Sequence, residues 1–249
     1  MYLIHMRPEQ LQAAVSGGVP LVMAAGVVEY HGPHLPIGTD LLIASRVAEE
    51  AERLCDCVLA PPLPYGPTMS WAGGPEEGEM DFDPSVLKAY AKETLRHFMR
   101  MGFQRIYIIQ HHQGPEGAQA LSLKLAAAEL VREETHGWGE KWGRREYSSL
   151  PHPNVFGWIQ VCSIDDFPHA PREECGLVPM DHAGRGETQF ILGGYPESVR
   201  MEALNEMREK PDWLADAPLA DADEGRRWIE HCARGWAAEL GKHTAWPVQ

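Results

Sequence analysis

At 249 residues, with 44% hydrophobic and 23% charged positions, the chain is long enough to bury a sizeable core, and nothing within residues 1–249 marks a linker between domains. A formal charge of −14 without clustered Lys or Arg excludes a protein built to grip a phosphate backbone, so nucleic acid is not an expected partner. Five cysteines (Cys55, Cys57, Cys162, Cys175, Cys232) lack CxxC spacing, which points away from a disulfide framework or a thiolate zinc site and toward a reducing cytoplasm.

The N-terminal MYLIHMRPEQ has no basic stretch ahead of an apolar one. The longest apolar run, Leu21 to Val28, is far short of the roughly 20 residues a membrane helix needs. Neither export nor a membrane partner is expected.

Taken in order, Pro8 to Val15 predicts a short helix, with Pro at its start and Gly17-Gly18 past its end, feeding a strand over Leu21 to Glu29. A helix from Asp40 to about Leu54 follows, then a strand at Cys57 to Ala60. The Gly/Pro-rich stretch PPLPYGPTMSWAGGPEEGEMDFDP is a loop long enough to be functional, and Trp71 in it faces substrate or anchors a lid on the core. Asp83-Pro84 opens a helix closed by Gly102, and Arg105 to Gln110 is a third strand. Pro115 starts another helix, and Gly139 to Asn154 reads as a polar surface excursion. Val155 to Ser163 is a fourth strand, Ile164 to Met180 a loop, and further helices begin near Gly186 and at Asp223. Strands alternating with helices predict an α/β fold, three α/β/α layers around a mostly parallel sheet.

Chemistry-bearing residues gather where strands end. VVEYHGPHLPIGTD, Val27 to Asp40, carries Glu29, His31, His34 and Asp40 directly after an apolar run. A Glu at the end of a buried strand is costly without a partner. While the chain stays extended, Glu29 and His31 share a face. With Asp40 they can hold a divalent ion through the hard oxygen and borderline nitrogen donors that suit Zn or Mn. Asp40 or Thr39 also reads as a helix cap, which does not forbid ligation, and His34 as a hydrogen-bonding loop residue. The third strand runs into His111 and His112, which point opposite ways, so at most one is expected to ligate. DHAGRGETQ brings Asp181, His182 and Glu187 to another helix N-terminus.

Together EYHGPHLPIGTD, IIQHHQGPEG and DHAGRGETQ resemble the creatininase (creatinine amidohydrolase) family, whose pattern is Glu-x-His-Gly-x-His-Leu-Pro-x-x-Thr-Asp, an Asn-Gly-His-Gly-Gly-Asn type turn, and His-Ala-Gly-x-x-Glu-Thr. These matches spread over about 160 residues. The resemblance implies two divalent metal ions, Zn and/or Mn: Glu29 and His112 on one, His31 and Glu187 on the other, Asp40 bridging both, and His182 as the catalytic imidazole. His112 is preferred to His111 because it is third in its motif. Trp71 and Gln113 are expected to face the substrate. The middle motif departs at Gly114, where creatininase has a metal-binding Glu; Gly114 cannot ligate, which shifts the burden to Glu187. The loop EEGEMDFDP also lacks the family's Gly-Thr.

The chemistry implied is hydrolysis of a small cyclic amide or another non-peptide C–N bond. The alternative is C–C cleavage that opens a cyclic keto-inositol, as other relatives are said to do. The resemblance also implies a homo-oligomer, often of six subunits. A site that only ties strand ends together would be closed and Cys-rich, unlike this one.

Overall fold

The computed structural model describes residues 1–152, 154–171 and 177–242. Cys175, part of the expected loop from Ile164 to Met180, Pro153 and the end of the tail lie outside them. The elements run α1 (Pro8–Ser16), β1 (Leu21–Ala25), α2 (Thr39–Glu52), β2 (Val58–Leu59), α3 (Pro84–Met101), β3 (Ile106–Gln110), α4 (Ala118–Gly137), β4 (Ile159–Ser163), α5 (Arg185–Gly194) and α6 (Ala222–Leu240). The sheet has the order β2-β1-β3-β4 and every pairing is parallel. Leu21 pairs with Ile106 and Ala25 with Gln110, and Ile106 pairs with Ile159.

Strand alternation divides the core in two. Val22, Tyr107 and Ile109 face a layer with Ile43 and Val47 of α2, Phe190 of α5, and Trp228 and Trp236 of α6. Leu21, Met23, Ile106 and Ile108 face the other, with Ala14 of α1, Leu87 and Leu95 of α3, and Leu123 of α4. Burial on both faces explains why the strands are continuous apolar runs rather than alternating ones. The result is the expected three-layer parallel α/β/α fold. No helix among the described residues is long and apolar enough to cross a membrane.

Every strand is shorter than the sequence predicts, β2 by Cys57 and Ala60 and β3 by Arg105, and the difference is largest in β1 and β4. β1 stops at Ala25 rather than Glu29, because the chain turns at Gly26, where a β-carbon would overlap the backbone of Asp40 and Leu41. Glu29 and His31 therefore sit on a loop, braced where the Glu29 N–H donates to Ile37 O (2.9 Å), and not on one face of a strand. β4 begins at Ile159, and Val155–Gly157 is a 3₁₀ turn capped by Asn154 Oδ1. Val155 is apolar because it fills the core, not because it pairs.

All strands end on one edge, where ligands of parallel α/β proteins gather, and the loops after β1, β3 and β4 leave from it. Beside this edge α5 and α6 pack backbone to backbone, since Gly225 lies against Gln189 O with no room for a β-carbon. Helix propensity alone would make Gly225→Ala stabilising by about 1 kcal/mol. The close approach reverses the sign, and we expect a loss of about 1–3 kcal/mol by urea denaturation.

Candidate metal centre

Four segments meet at this edge. The loop after β1 brings Glu29 and His31, the first turn of α2 brings Asp40, the residues after β3 bring His111 and His112, and the segment into α5 brings His182 and Glu187. Glu29, Asp40 and Glu187 are 2%, 1% and 5% exposed, so three carboxylates are buried together. Burying one ionised carboxylate is costly, and three side by side need compensating positive charge.

The imidazoles supply a second clue. His31 Nδ1 lies 3.1 Å from Glu29 O, His112 Nε2 3.0 Å from Pro67 O, and His182 Nε2 3.0 Å from Tyr30 O. A carbonyl only accepts, so in each ring that nitrogen carries the proton, and the neutral ring leaves a lone pair on the other. Those other nitrogens face the carboxylates. His31 Nε2 is 3.4 Å from both Asp40 Oδ1 and Glu187 Oε2, and His112 Nδ1 is 2.9 Å from Asp40 Oδ2 and 3.2 Å from Glu29 Oε2. His182 Nδ1 is 3.8 Å from Glu29 Oε2.

Lone pairs facing one another are held together only by protons or cations between them. With protons alone, burial drives His31 toward its neutral form, but Asp40 and Glu187 outweigh it and raise the ring well above its usual range. His112 is likewise opposed by burial and pushed up to about 10 by Asp40 and Glu29. Burial would raise the Asp40 carboxyl, yet His31 and His112 hold it below the usual carboxylate range.

Glu29 Oε2, His31 Nε2 and Asp40 Oδ2 are buried and find no hydrogen-bond partner among the described residues. Glu29, Asp40 and His112 each offer a donor atom within 4.8 Å of the others, and so do His31, Asp40 and Glu187. A third group of the same kind is Glu29, His31 and His182. These sets of carboxylate oxygen and imidazole nitrogen fit a divalent cation, and the N–H to carbonyl anchor on the far side of each ring is the habit of metal-binding histidines.

His34 has a different task. Its Nε2 lies 2.9 Å from Thr188 Oγ1, which itself donates to Ala183 O (3.1 Å), so the hydroxyl accepts from the imidazole and the loop is tied to α5. Trp71 is 61% exposed and stands edge-on to His182 at 5.0 Å, so it lies over the cluster rather than anchored in the core. Gln113 borders the same cavity, but its amide is engaged within the protein: Nε2 donates to Thr68 O (3.3 Å), and Oε1 accepts from Ala118 N–H (3.2 Å). Trp213 carried no signal in the sequence. It packs against His182 at 4.9 Å and against Trp71 at 6.1 Å, from a 3₁₀ turn in the tail. The cavity above the cluster holds about 1090 Å³ and is bordered by Trp71, Glu116, Asp165, Asp181 and His182.

A parallel α/β fold with buried carboxylates and imidazoles gathered at its strand ends fits the class of metal-dependent hydrolases. Comparison with known proteins narrows this further. Residues 5–240 match the profile of the Creatininase family, described as creatinine amidohydrolase. The chain is 22% identical over 257 aligned residues to creatinine amidohydrolase of Pseudomonas putida, covering 92% of each protein. It is 30% identical over 195 residues to the mycofactocin precursor peptide peptidase of Mycolicibacterium smegmatis, covering 75% of this chain and 62% of that one. A solved structure named "Creatininase Mn" superposes with a TM-score of 0.71 at 20% identity over 96% of both chains, and a Zn-Zn type of a creatininase mutant gives the same figures. The chain belongs to the creatininase family of metal-dependent amidohydrolases.

The state of His34 generates a pH prediction. Burial first, then positive charge at the His31 site and on Lys210, lowers its pKa from 6.5 to about 4. A folded pKa below the unfolded one means the neutral ring contributes stability above pH 6.5, and this is lost as pH falls toward 4. The full difference is about 3 kcal/mol. His34→Gln keeps a donor for Thr188 without titrating. Urea unfolding of the metal-saturated proteins between pH 7.5 and 5 is therefore expected to show a steeper decline for the natural chain than for the variant.

Proposed function

We propose that the protein is a binuclear hydrolase that cleaves an amide C–N bond of a small cyclic substrate, one domain spanning the chain. The observation that carries this reading is the way His31, His112 and His182 each turn one nitrogen onto buried carboxylates while the other is tied to a backbone carbonyl. Glu29, Asp40 and His112 would hold one ion, and His31, Asp40 and Glu187 the other, with Asp40 common to both. Such ions, Zn and/or Mn, supply Lewis-acid polarisation of the scissile carbonyl and a lowered pKa for the attacking water.

His182 would be the proton carrier. Its Nε2–H is fixed to Tyr30 O, and burial followed by His31 lowers its pKa, so Nδ1 is unprotonated near neutral pH. Nδ1 accepts the proton of the attacking water and passes it to the departing nitrogen. Trp71 and Trp213 pack together against the imidazole, and Trp71, which borders the cavity, offers an apolar surface to the substrate. Gln113 borders the cavity and would act on the substrate through the loop its amide braces. A homo-oligomer in the cytoplasm belongs to the same reading and is supported by the resemblance and the cysteine usage.

A second reading, an amide in a short peptide, is favoured by the volume of about 1090 Å³, generous for a single small ring, and by the likeness to a peptide peptidase. The experiment offers purified, metal-quantified protein creatinine, other cyclic amides, short peptides and a cyclic keto-inositol. Turnover of an amide is expected, and Asp40→Asn, which weakens both ion groups at once, should lower kcat at least 100-fold with loss of bound metal. Turnover of the keto-inositol alone would overturn the amide reading, and full activity of Asp40→Asn would overturn the ligand assignment.

A further inference from the structure

His111 and His112 are consecutive, yet they serve opposite halves of the cluster. The His111 N–H donates to Ala25 O at 3.1 Å, which fixes its backbone to the end of β1. From there His112 turns to Asp40 and Glu29, and His111 turns to Glu187, its Nε2 lying 2.8 Å from Glu187 Oε1. Among the described residues, His111 belongs to none of the donor groups that could hold an ion. It nevertheless touches the carboxylate of one of them.

Glu187 has two oxygens, and they are differently occupied. Oε2 accepts from the Ala183 N–H at 2.7 Å and faces His31 Nε2 at 3.4 Å. Oε1 is held by His111 alone among the described side chains. The carboxylate is therefore pinned from both sides, and its terminal torsion, otherwise broad, has one setting. The partner is well placed to persist: the His111 side chain is 13% exposed, so water competes poorly for the bond.

We propose that His111 is a positioning residue for Glu187, committing Oε1 to itself so that only Oε2 is offered to the ion of the His31–Asp40–Glu187 group. The inference rests on the metal reading above. Groups that orient a metal-binding side chain are worth about 10- to 100-fold in metal affinity. The effect is confined to one ion, because the Glu29–Asp40–His112 group shares Asp40 with its neighbour but not Glu187.

The test is a titration of metal-stripped full chain with Zn²⁺ against a chromophoric chelator, in the natural protein, His111→Ala and His111→Gln. Two binding steps are expected for the natural chain. In His111→Ala one step should weaken about 10- to 100-fold while the other is unchanged. His111→Gln, whose amide nitrogen takes the place of Nε2, should restore that step to within a few-fold. Unchanged steps in His111→Ala, equal weakening of both steps, or no rescue by Gln would each overturn the proposal. Failure of the natural chain to bind ions at all would instead sink the metal reading on which it depends.

Discussion

Three carboxylates buried within reach of one another are the constraint around which this protein is arranged. Glu29, Asp40 and Glu187 are together nearly shut off from water, and mutual repulsion in a low-dielectric interior makes that arrangement untenable without positive charge. The chain answers with imidazoles rather than Lys or Arg. An imidazole, unlike a permanently charged side chain, can surrender its proton to make way for a metal ion, and His31, His112 and His182 already carry the tautomers that such an exchange requires.

The fold delivers these groups through backbone rather than side-chain devices. Gly26 lets β1 end against the start of α2, which brings Asp40 to the loop carrying Glu29 and His31. Parallel pairing then puts the ends of β1 and β3 side by side, so residues after Ala25 and after Gln110 meet at one edge. Glu187 joins from the first turn of α5, where its Oε2 also accepts the Ala183 N–H, so a carboxylate that tends the helix end serves the cluster as well. Above it, Trp71 and Trp213 come from segments far apart in sequence and close on the same imidazole.

The alternation of apolar runs with amphipathic helices made the three layers legible, because each strand is buried on both faces and each helix follows within one crossover. Ends were less legible. Val27 and Val28 look like more of β1, and only the approach of Leu41 to Gly26, fifteen residues earlier in the chain, explains why the strand stops. Val155 likewise reads as strand because burial and pairing leave the same mark on composition. In the cluster, Glu29, His31 and Asp40 were visible because residues of that chemistry seldom crowd a strand end, while Glu187, His112 and His182 were reached through the resemblance. Trp213 was not visible, since one Trp in an acidic tail differs in nothing from a core aromatic until the fold brings it to His182. Gln113 borders the cavity, and its amide is also tied to Thr68 O and the Ala118 N–H, which nothing in the local sequence signals. Local sequence does not reveal which polar atoms are already engaged.

If the buried carboxylates exist to hold ions, anomalous X-ray scattering at the zinc or manganese edge from metal-loaded crystals measures it most directly. Two peaks are predicted on either side of the Asp40 carboxylate, one among Glu29, Asp40 and His112 and the other among His31, Asp40 and Glu187. Peaks found only elsewhere on the molecule, with the three carboxylates intact and empty between them, would contradict the account.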